Sequence, residues 1–175
     1  MWKLAILYLR DVRKDETIVN LQRAKIRVAP IKTVSIPRLE LCAPNLLAKL
    51  VNHYLLVMPF PTLTIHLWSD FTDVLFWLRK EPVRWNTFVA NRTFNIQTLL
   101  PHAYWHHVGS LDNPADIASR GVEPEMFSEF WLSGPSFLKD DSDPWPTVAD
   151  DIEIKQEQSI SIIDHNVQQI IFSVF

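Results

Sequence analysis

Between Leu63 and Val108 the spacing of apolar residues switches period several times, and this constrains the fold more than any other feature. Leu63, Ile65 and Leu67 alternate with Thr64, His66 and Trp68, which predicts a strand ending at Ser69–Asp70. A helix over 72–79 follows, and Pro82 closes it. Asn86–Leu99 then carries Phe88, Val89, Phe94, Ile96 and Leu99 at helical spacing, and Ala103–Val108 reads as a short strand. Two strands separated by helices cannot form a tight hairpin. They pair in parallel, so the expectation is an α/β sheet with helices packed on it.

The flanking segments add to this frame. Leu4, Ile6 and Tyr8 alternate up to Arg10, Asp11–Glu16 is a polar turn, and Thr17, Val19 and Leu21 alternate again, which predicts an antiparallel hairpin. A helix is expected to start near Ser35–Pro37, where proline suits the first turn. Leu39, Cys42, Ala43, Leu46, Leu47, Leu50 and Tyr54 give it one apolar face, and Pro59 and Pro61 end it. Pro44 lies inside that helix. It removes the hydrogen bond to the Glu40 carbonyl and is expected to kink the helix, at about 3 kcal/mol. Asn113, Pro114 and Gly121 have the positions of a helix cap, first residue and stop. Pro124, Pro135, Pro144 and Pro146 among many acids read as an irregular connection. The tail is apolar again from Ile152 to Phe175. Strand-like alternation at Ile152–Ile163 makes that part the candidate to cover an open sheet edge.

Composition removes several function classes. The chain has three glycines (Gly109, Gly121, Gly134), too few for a phosphate-binding glycine loop. It has no G-x-S-x-G elbow and no Asp-Ser-Gly or Asp-Thr-Gly triplet. One cysteine, Cys42, excludes an internal disulfide and a cysteine-based zinc site. His102, His106 and His107 cluster without further ligands at zinc spacing and read as structural or surface histidines. No apolar run approaches the roughly 18 residues of a membrane span. Met1–Leu9 lacks a small-residue cleavage site after it and reads as a strand, not a signal peptide.

The net charge of −3 conceals a division. Residues 1–122 hold 15 Lys/Arg against 9 Asp/Glu, and residues 123–175 hold 2 against 11. The front, at +6, permits contact with a polyanion; the tail, at −9, reads as a solvated acidic connection. From Gln22 to Arg38 five basic residues occur without an acid: Arg23, Lys25, Arg27, Lys32 and Arg38. These are the candidate nucleic-acid contacts.

Three carboxylates occupy telling places. Glu40 lies near the start of the long helix, Asp70 at the end of the Leu63–Ser69 strand, and Asp116 in the first turn of the helix after the last strand. Sites in open α/β sheets form at strand ends. Three acids converging there would offer hard oxygen ligands to Mg²⁺ or Mn²⁺. Taken singly, each is better explained as an acid favoured by a helix N-terminus, and only the three read together with their flanking residues point to a site.

The flanks of these acids carry a resemblance. The series TVSIPRLELCAPNLLAKL, IHLWSDFTDVLFWLR, RWNTFVANRTFNIQTL, HHVGSLDNPADIASRGV and FWLSGPSFL…WP, in this order from about Leu4 to Pro146, resembles the ribonuclease H-like region of BEL/Pao retrotransposon polyproteins, a family catalogued as Pao retrotransposon peptidase. The resemblance implies a ribonuclease H-like mixed α/β sheet, three antiparallel strands followed by two parallel ones. It also implies metal-dependent cleavage of the RNA strand of RNA·DNA hybrids, with contact to RNA 2′-hydroxyls supplying strand choice. Four carboxylates would surround two metal ions, Mg²⁺ or Mn²⁺, one activating water and the other stabilising the leaving oxygen. Glu40, Asp70 and Asp116 match the second, third and fourth. The first belongs on a central strand a few residues before the segment matching Lys3–Arg10, and the chain begins at Met1, so that strand and its Asp are expected to be missing. Its loss would leave two unpaired strand edges. Phe71 stands where a small hydroxyl residue is common and would crowd the site.

The expected organisation is a truncated ribonuclease H-like domain over 1–122, a family-typical extension over 123–146 and a tail over 147–175. Three functions are compatible: a retroelement-derived nuclease relic, inactive as this chain; a fragment of an active polyprotein; or a non-catalytic nucleic-acid-binding or interaction module. Implied partners are an RNA·DNA hybrid or other nucleic acid and neighbouring reverse transcriptase and integrase segments, with no membrane. An intracellular site, cytoplasmic or nuclear, is the expectation that follows.

Overall fold

The structure is a computed structural model and describes residues 2–28, 35–58, 63–119, 129–140, 145 and 168–174. It is a mixed α/β fold consistent with the ribonuclease H-like expectation. Strands β1 (Trp2–Val12) and β2 (Thr17–Val28) form the hairpin, helix α1 (Ile36–Val57) follows, then β3 (Leu63–Ser69), α2 (Thr72–Leu78), α3 (Thr87–Leu99) and β4 (Tyr104–His107). The chain continues through α4 (Pro114–Ser119) and α5 (Glu129–Ser133) to β5 (Gln168–Val174). The sheet order is β2-β1-β5-β3-β4.

The middle of the sheet departs from the sequence expectation. In place of two open edges, β5 pairs antiparallel with β1 from Ala5↔Val174 to Asp11↔Gln168. On its other side it pairs parallel with β3 from Leu63↔Gln168 to Ser69↔Val174. The position where the resemblance puts a first strand is therefore filled from the far end of the sequence. The strand that does so is 168–174; Ile152–Ile163, the stretch whose alternation suggested cover, lies outside the described residues. Gln168–Val174 has no Pro, Gly or charge and is rich in β-branched and aromatic residues, which suits a central strand.

Side-chain alternation along β1 builds two cores, because successive residues point to opposite faces. Ala5 and Leu7, with Leu9 partly buried, pack under α1 and α3 with Leu41, Leu47, Val51, Leu67 and Ile96. Leu4, Ile6 and Tyr8 face the other way, toward Val19, Trp68, Val108, Ala115 and Leu138. The stretch after Val122, irregular in sequence, thus supplies part of a core. Its ties are polar as well: the Tyr8 hydroxyl donates to the Trp131 carbonyl at 2.9 Å, and Arg10 Nε donates to the Leu138 carbonyl at 2.7 Å. Gly134 permits the close approach. Its φ is +72°, and an added Cβ would stand 2.8 Å from Leu138 Cδ1.

A bulge sets which face the basic residues take. Leu7 pairs with Arg23 but Tyr8 pairs with Leu21, so Gln22 is an extra residue on β2. Unbroken alternation from Val19 and Leu21 would put Arg23, Lys25 and Arg27 on the face of the second core. The bulge moves them to the α1 side, opposite Leu7, Ala5 and Lys3. The Tyr54 hydroxyl of α1 donates to Gln22 Oε1 at 3.0 Å and holds the bulge to the helix.

Helix α1 is assigned as one helix through Pro44, which is buried. The missing proline N–H does not divide it, because Leu41, Ala43, Leu46 and Leu47 are all buried on both sides of it. Asn95 of α3 donates to the neighbouring Asn45 at 2.6 Å. Helix α3 starts as expected, with Asn86 Oδ1 accepting from the Val89 N–H at 3.3 Å.

Replacing Ile171 by proline removes a ladder donor from the sheet's middle strand. Ile171→Pro is expected to lower the unfolding free energy by about 1–3 kcal/mol for each main-chain partner left unpaired, read as a lower urea midpoint by circular dichroism.

Candidate functional site

The three acids singled out from the sequence fall on three elements that meet at one end of β3. Glu40 is the fifth residue of α1, just past its first turn. Asp70 directly follows β3, and Asp116 is the third residue of α4. Asp116 is buried. Asn113 places it: this fully buried residue caps α4, its Oδ1 accepting from the Ala115 N–H at 3.1 Å. Asn113 also hydrogen-bonds the side chain of Asp70. That link joins the last two acids and is not apparent from the sequence, where Asn113 signals only a helix start.

Electrostatics ties the acids together. Burial pushes the Asp70 carboxyl up to about 6, and the negative charges of Asp116 and Glu40 push the same way. Hydrogen bonds from its own backbone and Asn113 oppose the shift. Asp70 Oδ1 is buried with no hydrogen-bond partner. Glu40 is also raised, by burial and by the charge of Asp73 at the start of α2. Asp73 is a fourth acid of this neighbourhood that the sequence motifs did not single out. The unpartnered oxygen and the all-carboxylate donors have the chemistry of a hard-cation ligand set. Yet among the described residues no three His, Cys, Asp or Glu side chains are grouped so that they could hold a metal ion. The acids present do not compose a metal centre by themselves. Phe71 follows Asp70 and packs against the helix-side core, its N–H donating to Ser69 Oγ at 3.3 Å.

The basic residues gather elsewhere. A groove of about 520 Å³ lies where β2 meets α1, lined by Arg23, Ala24, Lys25, Lys49, Leu50 and His53. Arg27 continues the exposed stripe on β2. Arg38 is exposed on α1, its guanidinium 5.4 Å from the Phe88 ring centre. Lys32 lies outside the described residues. Lys49 and His53 were not singled out from the sequence, since isolated basic residues on the polar side of a helix carry no motif.

On the opposite face lies an aromatic cluster. His66 stacks with Trp68, Tyr104 and His106, and Trp145 meets it edge-on at 4.7 Å. His66 Nδ1 and His106 Nε2 share a hydrogen bond of 3.1 Å. Burial drives His66 down to about 3 and His106 to about 4. Both are neutral structural histidines, and for His106 that agrees with the sequence reading.

Residues 4–71 match the family model of the Pao retrotransposon-like RNaseH-like domain. The matched span contains β1 from Leu4 onward, β2, α1, β3, Glu40 and Asp70. No curated protein and no solved structure matches the chain significantly.

Two pH effects follow, with opposite signs. Asp70 has a folded pKa of about 6 against an ordinary 3.8. Its contribution is therefore intact below about pH 3.8 and lost as pH rises through 6. Asp70→Asn is expected to raise stability at pH 7.5 by about 1–2 kcal/mol after solvent screening, and to change little at pH 4. The histidines are depressed, so the unfolded chain takes up protons first. Stability should fall as pH drops below about 6.5, by up to ~1.4 kcal/mol per pH unit for each histidine. His66→Phe, which keeps a stacked ring, should flatten that slope between pH 6.5 and 4. Urea midpoints of the wild type and each variant across this range check both.

Proposed function

We propose that this chain is a retroelement-derived ribonuclease H-like domain that binds RNA·DNA hybrid but does not cleave it. One observation carries the absence of cleavage: Gln168–Val174, the strand seated beside β3 in the middle of the sheet, contains no carboxylate. The resemblance expects the first metal-binding Asp on a strand in that position. Glu40, Asp70 and Asp116 remain, with no carboxylate on the neighbouring strand to complete the set.

Bound Mg²⁺ or Mn²⁺ would supply water activation and leaving-group stabilisation in such a domain. Its own residues support binding. Arg23, Lys25 and Lys49 line one groove, and no acid is among the residues lining it. Lys49 and His53 lie 9 and 13 residues beyond Glu40 on α1, a rise of roughly 14–20 Å. A duplex advancing ~3.4 Å per base pair covers that distance in about four to six pairs. A hybrid held by its phosphates in the groove would then reach the acid cluster along the same helix. The parent context implied is a polyprotein with reverse transcriptase and integrase segments. Among the described residues no helix is long and apolar enough to cross a membrane.

The full chain, incubated with a labelled RNA·DNA hybrid and Mg²⁺ or Mn²⁺, should leave the RNA intact. Cleavage that disappears in Glu40→Gln or Asp70→Asn would overturn the non-cleaving reading. Hybrid binding should weaken with salt, and a triple Arg23→Ala, Lys25→Ala, Lys49→Ala variant should reduce the log–log salt slope by about 0.9 for each phosphate no longer neutralised. A salt-insensitive binding constant would overturn the binding reading.

A further inference from the structure

The middle slot of the sheet has to be filled. Ala5, Ile6, Leu7, Leu67 and Ser69 on the flanking strands are fully buried, and Tyr8 and Trp68 are 1% exposed. An empty slot would leave two ladders of main-chain donors and acceptors unpaired between packed layers. Such pairing is mostly backbone and accepts any extended segment of suitable pattern. Gln168–Val174 fits it over seven residues on each side.

The slot does not require that this strand come from the same molecule. The strand is joined to Trp145 by 22 residues, 146–167, which can span at most about 75 Å. That is roughly twice the ~40 Å diameter expected for a globule of this length.

We propose that the slot between β1 and β3 also accepts Gln168–Val174 from a second copy of this chain, giving a dimer in which each copy completes the other's sheet. The strand contacts are the same in both states, so tethering decides between them. The intramolecular strand has an effective concentration in about the millimolar range, and the monomer dominates well below it. Withdrawing a central strand breaks both ladders, so exchange accompanies unfolding and refolding. This is domain swapping in which the exchanged element is a central strand.

The test uses the full chain with Cys42→Ser throughout. Asp11 and Gln168 stand directly opposite in the β1–β5 ladder. One copy carries Asp11→Cys, the other Gln168→Cys, and the two are unfolded together, refolded and oxidised. A disulfide-linked heterodimer, with a yield rising roughly in proportion to protein concentration below the millimolar range, is the expected result. A chain carrying both substitutions reports the intramolecular state and should crosslink within itself at low concentration. Internal crosslinking without any heterodimer at high concentration would show that the slot is filled only in cis and overturn the proposal. Absence of both crosslinks would overturn it too, by removing β5 from the side of β1.

Discussion

The rest of this structure depends on main-chain pairing of one strand, β5, with neighbours far from it in sequence. Its antiparallel ladder to β1 and parallel ladder to β3 join the hairpin half of the sheet to the parallel half. Without it, α1 and α3 would have no continuous surface to cover, since their core spans residues of both β1 and β3. The second core has the same dependence, because it combines Ile6 and Tyr8 with Trp68. Hydrophobic burial stabilises the two layers, but only a closed set of hydrogen bonds across the sheet lets the layers exist.

The two faces of that sheet have different chemistry, and backbone geometry separates them. The Gln22 bulge reverses the parity of β2 and sends Arg23, Lys25 and Arg27 to the helix side. There they line the sheet's outer edge with charge, which also discourages edge-to-edge association. On the other face Arg10 is buried yet satisfied. It donates to the Leu138 and Asp140 carbonyls while its guanidinium lies 5.4 Å from the Trp145 ring. An arginine in that position docks the segment around α5 with directional bonds, where apolar contact alone would leave its orientation loose.

The acid cluster is costly to the fold at neutral pH. Asp70 is partly buried, repelled by Glu40 and Asp116, and has one oxygen without a partner. Clusters of this kind are characteristic of functional sites, where pKa values depart from ordinary ones for chemical reasons. The match of residues 4–71 to a Pao retrotransposon-like RNaseH-like domain supplies a reason consistent with that pattern. In this chain the cluster is held by Asn113, a helix cap that doubles as a partner of Asp70.

The sequence by itself determined the local elements. The hairpin, α1, β3, α2, α3 and β4 lie close to where period and capping residues put them, since these signals act over a few residues. It also marked Glu40, Asp70 and Asp116 by their places at element ends, and the basic run that begins at Arg23. Only tertiary structure decided what joins what. The strand filling the central slot, the second-core role of Leu138, the parity flip at Gln22 and the partnership of Lys49 and His53 with β2 all arise from contacts between distant segments. A strand's own alternation states that it has two faces. It does not state which neighbours will pair with its edges, because main-chain hydrogen bonds are alike for nearly every residue and leave no mark in the sequence.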